Sequence, residues 1–248
     1  MRAVIVGNGV AGVEAALALR QRNPRASITL LSAEHPHFFS RTALMYVLAG
    51  QLSLQDTEPH GRNFFQKQGM ELRTGRAIGL EPGRLKLEGG GELPWDRLLI
   101  ASGSVGRPAP WRGAEGPGVH RFVTLQDLEG LERAVRPKGR VVVVGGGLIG
   151  VEVAEVLKLR GMTVDFVIRE PWYFPVALDR REAKVVAEHI SGHGVGVHLE
   201  EEVDFLERDP AGLLKAVCLK SGARLEAELV VAAIGVQPNT TWLRSSGL

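Results

Sequence analysis

Near the start of the chain stands Val4-Ile5-Val6-Gly7-Asn8-Gly9-Val10-Ala11-Gly12-Val13-Glu14, and it recurs as Val142-Val143-Val144-Gly145-Gly146-Gly147-Leu148-Ile149-Gly150-Val151-Glu152. Each copy is later closed by a similar phrase, Leu98-Leu99-Ile100-Ala101-Ser102-Gly103 in the first and Leu229-Val230-Val231-Ala232-Ala233-Ile234-Gly235 in the second. Within a copy the order is an apolar run, a glycine turn, an Ala/Leu-rich helical stretch and a second apolar run. Those segments are residues 3–6, 13–20 and 28–31 in the first copy, and 141–144, 151–159 and 164–168 in the second. Continuous β-branched runs joined by a helix mark parallel strands buried on both faces. The expected fold class is therefore α/β, with two Rossmann-like domains of three-layer β/β/α type. Small antiparallel meanders are expected as well, from residues 85–88 with 92–95 and from 214–219 with 224–228. The boundaries expected are 1–108, 109–238 and a short segment 239–248 that starts back toward the first domain. Gly106–Gly118, rich in Pro and Gly, is the expected hinge.

A G-x-G-x-x-G turn between strand and helix works through geometry. Its first glycine turns the chain tightly, the second lets a pyrophosphate approach the backbone, and the third lets helix and strand pack closely. Phosphates then meet free N–H groups at the helix N-terminus. Gly7, Gly9 and Gly12 fill these positions once, Gly145, Gly147 and Gly150 a second time. Beside them Val10 and Ala11, and Leu148 and Ile149, supply the first helical N–H groups. Two bound dinucleotides are implied. An acid after the second strand of such a unit reads a free ribose 2′-hydroxyl. Ala33-Glu34 follow the first such strand, making Glu34 the candidate. In the second unit Ile168 takes the place of the usual acid, followed by Arg169 and Glu170. Arg169 would suit a 2′-phosphate and Glu170 a free hydroxyl, so NADH and NADPH both stay open.

Composition narrows the function classes. Of 248 residues, 30 are basic and 28 acidic, a net charge of +2 that leaves no broad basic face for a phosphate backbone; nucleic acid is not an expected partner. No apolar stretch reaches the roughly 18 residues that span a bilayer, and the N-terminus reads as no signal peptide, so a cytoplasmic setting is expected. The single Cys218 excludes an intramolecular disulfide and a cysteine metal cluster, and its strand suggests a buried, inert thiol. His189 and His193 lie four apart, but Ser191-Gly192 is expected to end their helix, so no metal site is expected. Trp172-Tyr173-Phe174 is expected to pack over a cofactor cleft or the core.

With these motifs in place, the whole chain resembles the two-dinucleotide flavoproteins, the FAD-dependent pyridine-nucleotide oxidoreductases. Ala101-Ser102-Gly103-Ser104 and Ala233-Ile234-Gly235-Val236-Gln237-Pro238-Asn239 match their closing phrases. Glu34-His35-Pro36-His37-Phe38-Phe39-Ser40-Arg41 with Val47-Leu48-Ala49-Gly50 is most similar to reductases that feed nitrite reductase, rubredoxin or ferredoxin. The resemblance implies FAD at the first turn and NAD(P)H at the second. It also implies Arg41 near the FAD pyrophosphate, the backbone at Ala77 near adenine, and Ala101–Gly103 beside the flavin dinucleotide. Gly235 would close the second site, and Glu152 would sit where nicotinamide meets flavin. The cofactors carry the chemistry, so no acid–base triad is needed.

Three departures follow. Residues 40–45 hold no Cys, which excludes disulfide reduction and cysteine-sulfenate chemistry. Met45 stands where some relatives place a Lys opposite the acid matching Glu152. The sequence stops at Trp242-Leu243-Arg244-Ser245-Ser246-Gly247-Leu248, where the family's Gly-Asp-bearing return to the FAD domain would begin. A truncated product, a companion chain or homodimer, or weakened FAD binding is expected from that. The leading expectation is an FAD-dependent NAD(P)H oxidoreductase that passes electrons to a redox protein acceptor. The alternative is a non-catalytic dinucleotide-binding module or one subunit of a split flavoprotein. A dehydrogenase acting on a small substrate is disfavoured, since no catalytic domain accompanies the two nucleotide units.

Overall fold

Strand β1 (Arg2–Val6) lies between β2 (Ser27–Ser32) and β7 (Arg97–Ile100), parallel to both. The computed structural model describes residues 1–247, in two compact units. The first unit is Met1–Val47, Leu52–Val105 and Pro238–Leu248; the second is Leu48–Gln51 with Gly106–Gln237.

In the first unit helix α1 (Val10–Arg22) joins β1 to β2 and starts three residues before the helical stretch read from sequence, because Gly12 is already within its first turn. Short helices α2 (Leu44–Leu48) and α3 (Phe64–Lys67) precede β3 (Glu71–Thr74), which completes a parallel sheet in the order β3-β2-β1-β7. Successive side chains of β1 point to opposite faces, and each face has its own cover. Ala3 and Ile5 pack with Ile28, Leu30, Val13 and Ala16 on the helical side. Val4, Val6 and Leu31 pack on Leu85, Leu87 and Leu93 of the meander β4 (Ala77–Glu81), β5 (Arg84–Leu87) and β6 (Glu92–Pro94). Trp242 packs against the same cluster. The chain leaves this unit along β8 (Ser104–Gly106).

The second unit repeats the plan. After β9 (Val119–His120) and α4 (Leu125–Ala134) come β10 (Arg140–Val144), α5 (Leu148–Leu159), β11 (Thr163–Ile168), α6 (Arg180–Gly192) and β12 (Gly196–Leu199). A meander follows, β13 (Val203–Arg208), β14 (Leu214–Leu219) and β15 (Arg224–Glu226), then β16 (Leu229–Ala232) and the departing β17 (Val236–Pro238). The parallel sheet runs β12-β11-β10-β16-β9. Val142, Val144 and Val167 pack on Leu206, Val217 and Leu219 of the meander, which gives the β/β/α layering. The fold is the mixed α/β arrangement of parallel sheets with antiparallel meanders that the sequence implies.

Two details differ from the sequence reading, the segment 106–118 and Cys218, while the aromatic run 172–174 packs as expected. Residues 106–118 are not a free hinge, for Arg208 donates to the carbonyls of Gly113 and Pro117 at 2.7 and 2.8 Å. A Cβ on Gly113 would lie 2.5 Å from the Leu206 carbonyl oxygen, so the glycines there serve close packing on β13. Cys218 is only half-buried, since on β14 it faces away from the sheet that covers Val217 and Leu219. Tyr173 is buried against Phe166, while the Trp172 indole N–H donates to the Leu178 carbonyl and Arg180 stacks on its ring. Helix α6 does end at Gly192, with the His189 and His193 rings 4.4 Å apart. No described helix is long and apolar enough to cross a membrane.

Candidate functional site: two glycine cradles

The two glycine turns make the same hydrogen bonds. The Gly7 N–H donates to Leu31 at 2.8 Å and the Gly145 N–H to Val167 at 2.9 Å. Ala101 N–H donates to Val6 and Ala233 N–H to Val144, each at 2.8 Å, bringing the closing phrases beside the turns. Gly7 and Gly145 have φ of 111° and 121°, where an L side chain is strained. A Cβ on them would stand 2.1 Å from the Ala101 oxygen and 2.3 Å from the Ala233 oxygen. On Gly12 or Gly150 it would stand 2.0 Å from the Gly7 or Gly145 oxygen. The first and third glycines are thus demanded by the protein's own packing.

The second glycines are not. A Cβ on Gly9 or Gly147 meets nothing within 4 Å, and their φ of −75° and −95° suits any residue. Glycine at these positions keeps open space against the backbone. The helices above them are correspondingly bare. Neither α1 nor α5 has a side-chain cap or an acid in its first turn. Helices α4 and α6 carry full capping boxes, Thr124 with Asp127 and Asp179 with Glu182. An N-terminus without a cap offers its N–H groups and partial positive charge to an anion. At the rim Val10 and Leu148 are 68% and 60% exposed, apolar surface beside each cradle. Residues of this pattern fit the phosphates of a dinucleotide at both turns.

Around the first cradle, Glu34 and Arg41 form one unit: the Arg41 Nη1 and Nη2 donate to Glu34 Oε1 and Oε2 at 2.9 and 2.6 Å. Ala33 is exposed beside them and Ala77 is buried at the start of β4. Sequence reasoning missed the parts that set this loop. Asn8 and Ser32, both buried, donate to the His35 carbonyl at 3.3 and 2.7 Å. Asn239 likewise fixes the Ala101–Gly103 loop, its N–H donating to Gly103 at 2.9 Å and its carbonyl accepting from Ser102 Oγ at 2.8 Å. The available signal was polar residues inside glycine-rich phrases, where burial demands a partner.

Around the second cradle, Ile168 is fully buried, and its Cγ2 would touch a Cβ on Gly146 at 2.7 Å. It is a packing residue, whereas Arg169 and Glu170 emerge past the strand end and pair at 2.9 Å. Glu152 is exposed in the second turn of α5, and among the described residues its carboxylate makes no ion pair. Its charge, after burial, holds the Tyr173 phenol above its ordinary pKa. Gly235 (φ 99°) accepts the Arg107 N–H at 3.0 Å.

The sequence profile of the pyridine nucleotide-disulphide oxidoreductases matches residues 1–248. The chain belongs to this family. Its single Cys218 leaves the disulphide of that name without a counterpart in this chain. Among its relatives, the nitrite reductase [NAD(P)H] of Bacillus subtilis is 30% identical over 250 residues, covering 99% of this chain and 31% of the relative. The rubredoxin-NAD(+) reductase of Pseudomonas putida is 28% identical over 242 residues, 96% of this chain and 63% of the relative. The covalent putidaredoxin reductase–putidaredoxin complex has a chain of the same fold, with a TM-score of 0.89 and 27% identity, covering all of this chain and 61% of that one. The chain therefore spans about one third to two thirds of the length of these members of the family.

Proposed function

We propose that the chain is the nucleotide-binding part of an FAD-dependent oxidoreductase that takes hydride from NAD(P)H and passes electrons to a redox protein. The observation that carries this reading is the pair of open second glycines, Gly9 and Gly147, each under a helix without a cap. When bound, the flavin supplies the two-electron acceptance and the onward electron delivery. The chain's own residues bind and orient. The N–H groups of Val10, Ala11 and Gly12 hold the FAD phosphates, with Arg41 adding positive charge and Glu34 accepting from the ribose. Ala33 and Ala77 line the adenosine side, and Ala101, Ser102 and Gly103 bound the first cradle. Leu148, Ile149 and Gly150 hold the NAD(P)H phosphates, with Arg169 and Glu170 at the ribose and Gly235 at the closing loop. We assign Glu152 to the nicotinamide end. With no cysteine pair, electrons leave from the flavin, and relatives named for rubredoxin and putidaredoxin reduction support a protein acceptor. A cytoplasmic setting, and a second copy or companion chain in the assembly, belong to this reading.

Crossed glycine variants test it. Gly9→Ala is expected to abolish FAD binding while NAD(P)H still binds, and Gly147→Ala to do the reverse. Loss of both ligands in either variant, or of neither, would overturn the assignment of one nucleotide to each cradle.

A further inference from the structure

One edge of the second unit's parallel sheet is open. Strand β12 ends the order β12-β11-β10-β16-β9 and pairs with β11 alone, so among the described residues its outer backbone groups face no strand. Native edges are commonly blunted by a lysine, a proline or a bulge. Gly196-Val197-His198-Leu199 carries none of these, and its one polar side chain, His198, is turned to Asp165 at 2.7 Å. Beside this edge lies a groove of about 720 Å³ within the second unit. Ala183 and Ala187 of α6, Val197 and Leu199 of β12 and the Trp172 ring give it an apolar lining. None of its lining residues is assigned above to either cradle.

The charges along the groove side of α6 follow an order that the helix itself does not ask for. Arg180 opens the helix, at the end where the dipole favours an acid. Lys184 precedes Glu188 by one turn, the weaker order for an i, i+4 pair. That pair is 3.7 Å apart with both side chains largely exposed, and Arg180 rests on the Trp172 ring at 5.0 Å. A helix face that is basic toward its start and acidic toward its end complements itself when a second copy runs antiparallel. About a two-fold axis midway between 184 and 188, Lys184 of each copy meets Glu188 of the other. The alanines 183 and 187 are small enough for the two helices to approach closely. The same axis sets β12 antiparallel to its copy, edge to edge.

We propose that this edge is where two copies of the chain meet, α6 against α6 and β12 against β12, continuing the sheet across the pair. It rests on the function proposed above only in naming the surface for the second copy included there, and it needs no bound nucleotide. The test is sedimentation equilibrium of the full 248-residue chain across a dilution series, without nucleotide. The unmodified chain is expected to dimerise reversibly. Lys184→Glu and Glu188→Lys each set like charges together twice in a symmetric pair, and each should weaken association by about tenfold or more. Mixed in equal amounts, the two variants should regain the pair, because opposite charges then meet at both contacts. A chain that stays monomeric at every concentration, or a dimer that neither variant weakens, would overturn the inference. So would variants that weaken the dimer and do not recover on mixing. The nucleotide assignments are tested by the crossed glycine variants and fail or stand separately.

Discussion

Single residues separate packing from binding. Gly7→Ala or Gly12→Ala would drive a methyl into a carbonyl oxygen, at Gly7 in a positive-φ conformation as well. Each is expected to lower stability by about 2–4 kcal/mol in denaturant titration. Gly9→Ala should cost less than about 1 kcal/mol, since its methyl meets open space, yet it should remove ligand binding. A ligand-binding loss matched by an equal stability loss would refute that separation. His198 gives a pH signature. Its Nε2 lies 2.7 Å from Asp165 Oδ1, and that hydrogen bond, aided by the charges of Asp165 and Glu201, raises its pKa against the lowering effect of burial. A raised folded pKa means stability that is fully present below the unfolded value near 6.5 and lost as pH rises through the folded one. Asp165→Asn should therefore destabilise more at pH 5.5 than at pH 8; an equal effect at both would refute the coupling. His120 works in the opposite direction, because burial lowers its pKa, so the variant difference is the clean readout.

The element scale shows how much was legible in the sequence. Runs such as 141–144, fully β-branched, can only be strands buried on both faces, and alternation of their side chains between helix and meander sets the three layers. The glycine spacing located both cradles. Element ends were less legible: α1 begins at Val10 because glycine and alanine in the first turn look like loop, and residues 106–118 look like a hinge because close packing and flexibility both use glycine. Pairing across distance, as in Glu34 with Arg41 or Asn239 with Ser102, leaves no periodic trace and needed the structure. Capping supplies an element-scale prediction. Gly147→Ser would give α5 the cap it lacks, in space that is open, and should stabilise the unliganded chain by a few tenths of a kcal/mol while abolishing nucleotide binding at the second turn. Asp179→Ala, which removes a cap that α6 uses, should destabilise by about 1 kcal/mol with no effect on nucleotide affinity.

At the scale of the whole molecule, one plan has been used twice, with the same anchors and glycines and differently dressed loops. Both units lie within the match to the pyridine nucleotide-disulphide oxidoreductases. The central claim is that the two cradles hold different cofactors that react with each other. The most direct measurement is the visible absorption spectrum of the purified chain mixed with FAD, then titrated anaerobically with NADH and with NADPH. The account predicts a bound flavin band that NADH or NADPH bleaches. A protein that retains no FAD, or whose bound flavin neither nucleotide reduces, would contradict it.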